Sequence, residues 1–378
     1  MDMLAEYVSS VDGATAVGAA VVQLNSGSGR VAAAFISRAR LHPERRQSLW
    51  CAERYYPAVE AIRRELPRDG SIHAPTDSAD HAGTTVHLAH AHGAQLFHGV
   101  ADADLVTIRI PTEKLPTQQL IWDAFNILRV GGTCILAGGT NEGVKPAVRM
   151  LDTLFGSSTV EAQHSGHRLV RATRRDAQPT SVAGFDSPYL SPDVFRELHV
   201  SARGEQWLLH TRPGVFSWEH LDEATTLLAD AMEVRAGESV LDIGTGAGLL
   251  GLIAARMSGT GEVLMLDADS EAVRCASRSI AAASIRNAEA AASDVTSAAG
   301  DRTFDVVLSN PPFHQGKAVD LVLPRRFIGE AYNRLVPGGR LYIVANRTLP
   351  YERVITERFG AVRVLHDGQR FKVLGATR

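Results

Sequence analysis

Asn310-Pro311-Pro312-Phe313-His314 follows the apolar run Phe304-Asp305-Val306-Val307-Leu308-Ser309. The Asn310 amide oxygen and the Pro311 backbone carbonyl are two hydrogen-bond acceptors in one short loop, and Phe313 adds an aromatic face. Such a loop suits a flat exocyclic amine. The lone pair of that amine is delocalised into its ring, which makes it a poor nucleophile. Two acceptors that hold both N–H bonds favour a lone pair aimed out of the ring plane, so methyl transfer to it needs no strong base. Pro312 stiffens the turn by fixing its own φ and restricting Pro311 before it. A base stacked on Phe313 would gain roughly 1–3 kcal/mol. Asn-Pro-Pro is also ordinary turn punctuation after a strand, so the surrounding elements have to decide.

Upstream, Ser239-Val240-Leu241-Asp242-Ile243-Gly244-Thr245-Gly246-Ala247-Gly248 reads as a buried strand, a glycine turn and a helix from Leu249 to Met257. Glycines permit sharp bends and close approach to a ligand, and the helix N-terminus presents unpaired N–H groups. A nucleotide-type cofactor follows, held by Asp242, Gly244, Thr245 and Gly246. The dinucleotide fingerprint G-x-G-x-x-G competes for the same glycines. Asp242 weighs against it, since a carboxylate before the turn repels a pyrophosphate and attracts the ammonium of a methionine moiety. S-adenosylmethionine therefore fits better than NAD. The next strand, Gly261 to Leu266, ends at Asp267-Ala268, where Asp267 has the chemistry to accept from both ribose hydroxyls. A third ends near Ser293-Asp294-Val295, and Asp294 suits the adenine amino group. A turn or helix-capping role explains Asp294 equally well. With Asn310, these residues close four successive strand ends, where open α/β sheets bind ligands.

Beyond the loop come a helix from about Asp320 to Leu335, a Pro337-Gly338-Gly339 turn, the strand Arg340 to Val344 and a helix ending near Phe359. Two alternating runs, Ala361 to His366 and Phe371 to Ala376, flank Asp367-Gly368-Gln369-Arg370 and read as an antiparallel hairpin.

Three motifs in that order, Pro213-Gly214-Val215-Phe216-Ser217, Asp242-Ile243-Gly244-Thr245-Gly246 and Ser309-Asn310-Pro311-Pro312-Phe313-His314, resemble the bacterial two-domain rRNA guanine-N2 methyltransferases of the RsmC/RlmG type, class I S-adenosylmethionine-dependent enzymes. The resemblance implies that Asn310, Pro311, Pro312 and Phe313 receive the guanine and that Phe216 lies on the cofactor side of the pocket, with Asn310 bordering the cofactor. Relatives acting on adenine N6 or protein glutamine commonly have Tyr in place of Phe, so Phe313 followed by His314 favours guanine. It also implies two tandem Rossmann-like methyltransferase domains in an α/β chain, each a seven-stranded mostly parallel sheet with a C-terminal antiparallel hairpin, the first one degenerate. Ribosomal RNA or a ribosomal subunit is then the partner, with small-subunit RNA favoured. An NAD-binding oxidoreductase remains the alternative from another class.

An internal repeat agrees. Asp104-Leu105-Val106-Thr107-Ile108 resembles Asp305 to Ser309, Leu128-Arg129-Val130-Gly131-Gly132 resembles Leu335 to Gly339, and Phe155-Gly156 matches Phe359-Gly360. Arg109 stands at the Asn310 position and Ile110 at the Pro311 position, with no Asp-x-Gly-x-Gly turn before them. The first copy is expected to be catalytically dead and to serve RNA binding or structure. Expected boundaries are 1–175 for it, 176–205 for a Pro-, Ser- and Gly-rich linker and 206–378 for the catalytic domain. Ala14 to Ala34 reads as either a hairpin or a helix-loop pair. His81, His87, His90, His92 and His98 lie close in sequence, but with no nearby Cys and no helical pairing a solvent-facing or turn role is favoured over a metal site.

The chain has 378 residues, 45% hydrophobic and 21% charged, which excludes a disordered scaffold. Three dispersed cysteines suggest neither a disulfide framework nor a zinc site. No leader or spanning run is evident, and a cytoplasmic monomer is expected. A net charge of −3 argues against a generally basic nucleic-acid binder. Local arginines answer this in part. Arg171, Arg174 and Arg175 near the linker and Arg325 and Arg326 after the catalytic loop are the candidates for phosphate contact. Arg38, Arg40, Arg45 and Arg46 read as a solvated face.

Overall fold

The computed structural model describes residues 3–10, 20–26, 29–41, 47–65, 76–81, 84–93, 100–312 and 321–378. Phe313, His314 and His98 lie outside the described residues. The chain divides into two compact units, Met1–Val194 and Phe195–Arg378.

The second unit is built on a seven-stranded sheet in the order Ala288–Ala292, Val263–Asp267, Val240–Ile243, Phe304–Ser309, Leu335–Asn346, Phe371–Thr377, Arg363–Asp367. Its first five strands are parallel and the last two form the expected antiparallel hairpin. Both faces are covered, so the central strands are apolar without a break, as parallel strands must be when helices pack on each side. Val240, Val263, Val306 and Leu308 enter the core on one face, and Leu241, Leu264, Leu266 and Val307 the core on the other. Truncating any one of them to Ala would cost about 2–5 kcal/mol. The strand order reverses between Val240–Ile243 and Phe304–Ser309, and Ser309 Oγ donates to the Ile243 carbonyl at 2.8 Å across that point.

A separate hairpin, Arg196–Ala202 paired with Glu205–Thr211, precedes this sheet. Its turn uses Arg203 and Gly204, both at positive φ (51° and 75°), the conformation a two-residue hairpin turn demands. The Arg203 guanidinium donates to the carbonyls of Ala229, Asp230 and Met232, which caps the C-terminal end of helix Glu223–Ala231. The stretch expected as a linker, 176–205, divides between the two units. Its last residues form a strand of the second unit, while its middle belongs to the first, where Phe185 is buried and Thr180 N donates to the Leu154 carbonyl at 2.9 Å.

The first unit repeats the plan with one strand more than expected. Its order is Thr76–His81, Thr84–His90, Gln47–Glu53, Ala20–Leu24, Ala103–Arg109, Leu128–Gly139, His167–Thr173, Ser158–His164, and the outermost strand Thr76–His81 is an antiparallel addition. Of Ala14 to Ala34, residues 14–19 and 27–28 lie outside the described residues, and the rest is neither a hairpin nor a helix-loop pair. A strand, Ala20–Leu24, runs into helix Arg30–Leu41, which is the counterpart of the glycine turn in the second unit. Strand register makes the match residue by residue. Leu24 pairs with Ala52 and Ile108, as Ile243 pairs with Leu266 and Ser309. Gln23 thus stands for Asp242, Asn25 for Gly244, Glu53 for Asp267 and Arg109 for Asn310. Asn25 takes φ 57°, the left-handed region that Asn tolerates best after glycine.

Candidate active site

Three glycines of the second unit's turn, Gly244, Gly246 and Gly248, take φ of 75°, 58° and 97°, and the chain folds back around the Asp242 carboxylate. Asp242 is fully buried. Its Oδ2 accepts from Thr245 Oγ1 at 2.6 Å and from the Gly251 N–H at 3.1 Å, and its Oδ1 has no hydrogen-bond partner among the described residues. Gly251 was not singled out by sequence reasoning. A Cβ there would lie 2.4 Å from the Met265 side chain, so only glycine brings the helix close enough to donate to Asp242.

Burial raises the Asp242 carboxyl to about 7, against the lowering effect of its two hydrogen bonds, and the nearby Asp267 charge adds to the rise. Asp267 is likewise raised to about 6, first by desolvation and then by Asp269. Its Oδ2 accepts from Gly246 N and its Oδ1 from Asp269 N, both at 2.9 Å, and the Ala268 N–H also points to it. These three donors leave about one of the carboxylate's lone-pair sites for a hydroxyl. Two carboxylates bound to one glycine turn, one with a buried orphan oxygen, suit a ligand that carries both a cation and a diol. The residues present therefore fit S-adenosylmethionine.

Across the switch point, Asn310 lines a crevice together with Gly244, Thr245 and Gly246 of the same turn. Its Nδ2 donates to Asp222 Oδ2 at 3.1 Å and to Thr225 Oγ1 at 2.8 Å. Those two bonds settle which way the amide points, and its Oδ1 is buried with no partner among the described residues. Asp222 is also the N-cap of helix Glu223–Ala231, accepting from Thr225 N at 2.9 Å. Asp222 and Thr225 carried no signal in the sequence beyond an Asp before a helix, because what they hold is 85 or more residues away. Pro311 is buried and Pro312 exposed.

Phe216, 63% exposed, lines the crevice together with Asp222, Thr225, Gly244, Thr245 and Asn310. It follows Arg212, a fully buried guanidinium in an ion pair with Glu271 on helix Ser270–Ala282. Glu271 also receives Arg274 at 2.8 Å. The segment 213–217 is thereby anchored to the helix that follows Asp267.

Asp294 lies two residues past its strand and is bound by Arg326 at 2.8 Å, which leaves part of its carboxylate for another donor. Arg326 also pairs with Glu330, and Arg325 pairs with Glu357. In the first unit Arg171 pairs with Glu161. Arg174 stacks 4.6 Å over Phe125 and donates to the carbonyls of Asn126, Leu128, Asp176 and Ala177, a role in folding. Arg175 is exposed and without such partners among the described residues. His87 stacks on Trp50 and His90 meets Tyr56 edge-on. No cluster of His, Cys, Asp and Glu suited to a metal occurs among the described residues. No helix there is long and apolar enough to cross a membrane.

Comparison with known proteins agrees with this geometry. Residues 206–375 match the family described as "Methyltransferase small domain". The chain is 34% identical over 275 residues to ribosomal RNA small subunit methyltransferase C of Klebsiella pneumoniae, covering 72% of this chain and 75% of that one. It is 33% identical over 279 residues to the protein of the same name from Escherichia coli O9:H4, covering 73% and 76%. Among solved structures it is similar to the T. thermophilus 16S rRNA N2 methyltransferase of the guanine at position 1207, determined with AdoMet and guanosine. That match has a TM-score of 0.78 at 28% identity, over 100% of this chain and 92% of the other.

Proposed function

The chain belongs to the ribosomal RNA small subunit methyltransferase C family, and on that premise we propose that it methylates the exocyclic N2 amine of a guanine in small-subunit ribosomal RNA, using S-adenosylmethionine. The observation that carries the reading is Asn310, which lines the crevice with its Nδ2 committed to Asp222 and Thr225 and its Oδ1 left as a buried acceptor without a partner among the described residues. Family membership replaces the oxidoreductase alternative, and the carboxylate Asp242 beneath the glycine turn agrees with it.

S-adenosylmethionine, when bound, supplies a methyl carbon already activated on a sulfonium. The residues of this chain do the rest by positioning. Asp242 would hold the ammonium, Asp267 with Ala268 the ribose, and Asp294 the adenine amine, while Gly244, Thr245 and Gly246 give the close backbone approach. Asn310 Oδ1 and the Pro311 carbonyl would accept the two N–H bonds of the guanine amine, so that its lone pair leaves the ring plane. Pro312 holds the turn and Phe313 offers the stacking face, with Phe216 on the cofactor side. A guanine inside structured RNA must be unstacked or presented from a loop to reach the crevice.

Asp222, Asp242, Asp267 and Asn310 all lie within 206–378, which supports a catalytic domain there, and we take the chain to act as a monomer in the cytoplasm on ribosomal RNA or the small subunit. The first unit would bind RNA or support the fold, through Arg171, Arg175 and the crevice at its own switch point. Arg325 and Arg326 would meet RNA only by sharing their carboxylate partners.

Labelled cofactor and small ribosomal subunits, followed by nucleoside analysis, test the reading. Label in N2-methylguanosine is expected. Label confined to N6-methyladenosine or to protein glutamine would replace it. Asn310→Ala should lower transfer by about 10²-fold or more, the size of effect seen when one preorganised hydrogen-bonding group is removed from an active site, with cofactor affinity unchanged in calorimetry.

A further inference from the structure

The first unit keeps a crevice at the same switch point with its charge inverted. A cavity of about 330 Å³ opens at the carboxyl ends of its strands, lined by Ser26, Arg109, Glu142, His164, His167 and Arg168 and roofed by Met3 and Leu4. Arg109 occupies the register position of Asn310, and Arg168 that of Lys372. In the second unit Lys372 is buried against Glu352. Arg168, by contrast, makes no ion pair among the described residues. Arg109, which lines the cavity, spends one nitrogen on Glu142 at 3.1 Å and remains 43% exposed, so it has donors left for a ligand.

The carboxylates that a cationic cofactor needs are missing here. Gln23 replaces Asp242. Glu53, in the place of Asp267, is turned inward, where its Oε1 accepts from Gln23 Nε2 at 2.6 Å, Ser26 N at 2.8 Å and Ser26 Oγ at 2.5 Å. Two guanidiniums and two imidazoles then stand against the single carboxylate of Glu142. Guanidiniums match phosphate oxygens in a fork geometry.

We propose that this crevice binds a phosphate of the substrate RNA backbone, so that the copy without catalytic groups holds the RNA that the other copy modifies. The assignment rests on the RNA reading above and extends it to named residues. It also answers the objection from net charge, since positive charge is gathered where the fold makes a cavity and not spread over the surface.

The test uses the full-length chain, with a fluorescein-labelled single-stranded RNA containing guanosine, titrated at several salt concentrations. The variant Arg109→Gln with Arg168→Gln should bind roughly tenfold more weakly near 0.1 M salt. The slope of log affinity against log salt should fall by about 0.7 for each phosphate that is no longer neutralised. Glu142→Gln, which releases Arg109, should tighten binding about twofold by the same electrostatic effect. S-adenosylmethionine affinity should stay constant, since that site lies in the second unit, and an unchanged urea unfolding profile in the same samples shows that the mutated first unit folds. Wild-type affinity and slope in the double variant, while the wild type methylates guanine, would overturn the crevice alone. Crevice-dependent RNA binding without any guanine product would leave the crevice standing and overturn the functional reading. Saturable binding of inorganic phosphate that the double variant loses with no change toward RNA would make this a free-anion site and overturn the assignment.

Discussion

Two buried oxygens without partners among the described residues, Asp242 Oδ1 and Asn310 Oδ1, carry most of the chemical argument. A buried acceptor left unpaired costs about 1–3 kcal/mol, so each position calls for a donor from beyond the described residues, which a bound ligand would supply. The Asp242 donor is predicted to leave a pH signature. Its carboxyl is raised to about 7, and a bound ammonium favours the ionised form. Below that pH a proton must leave before the cofactor binds, so affinity should rise as pH climbs from about 6 and level off above 7. Calorimetry in buffers of different ionisation enthalpy should show proton release, and an affinity flat across this range would dismiss the interaction. The same shift acts on stability with the opposite sense. A folded-state value above the unfolded one contributes stability at low pH, lost as pH rises toward 7. The ligand-free protein should therefore weaken across that window while the bound form does not. Asp222 has two duties, capping a helix and aiming Asn310. Asp222→Ser keeps a good cap but removes the carboxylate, so urea stability should hold while kcat falls about tenfold and cofactor affinity stays put. A purely structural role would move stability and leave kcat alone.

Among the elements, the hairpin Arg196–Ala202/Glu205–Thr211 and helix Ser270–Ala282 decide where the segment 213–217 lies. Thr211 ends the hairpin, and the Arg212–Glu271 ion pair that follows is almost wholly buried. Removing one member of an isolated buried pair costs about 3–5 kcal/mol, and Arg274, which stays on Glu271, sets the loss of Arg212 below that range. Arg212→Met should therefore lower the urea midpoint of the second unit markedly, and Arg212→Met with Glu271→Gln should recover much of that stability. If the single variant unfolds at the wild-type midpoint, the pair does not hold this segment. Neither residue drew attention in the sequence, because a buried ion pair has no local pattern and its partners lie 59 positions apart. The strands, glycine turn and terminal hairpin were legible, since apolar runs bounded by Gly, Pro and Asp give both element and end. Strand Ala20–Leu24 was not, because small apolar residues satisfy helix and strand patterns alike.

For the whole molecule, the two units share a sheet order and register but only one has the groups for cofactor chemistry. With Gln23 for Asp242 and Glu53 drawn into its own loop, S-adenosylmethionine should titrate at one equivalent per chain. A second equivalent that disappears in a Glu53→Ala variant would reverse that view. Asp242, Asp267 and Asn310 were legible as candidates because each lies at or next to the end of a strand, and the ends of parallel strands must converge on one edge. That reasoning also covered the duplication and the Arg109 substitution, both of which register confirms. What the chain order could not express was orientation and sharing. Folding alone brought Asp222 and Thr225 against Asn310, committed Arg174 to backbone carbonyls, set Arg326 on Asp294 and gathered Arg109 and Arg168 around one cavity. A strand's ends and apolar faces follow from neighbours along the chain, whereas the partner of a polar atom is whichever group packing brings within about 3 Å.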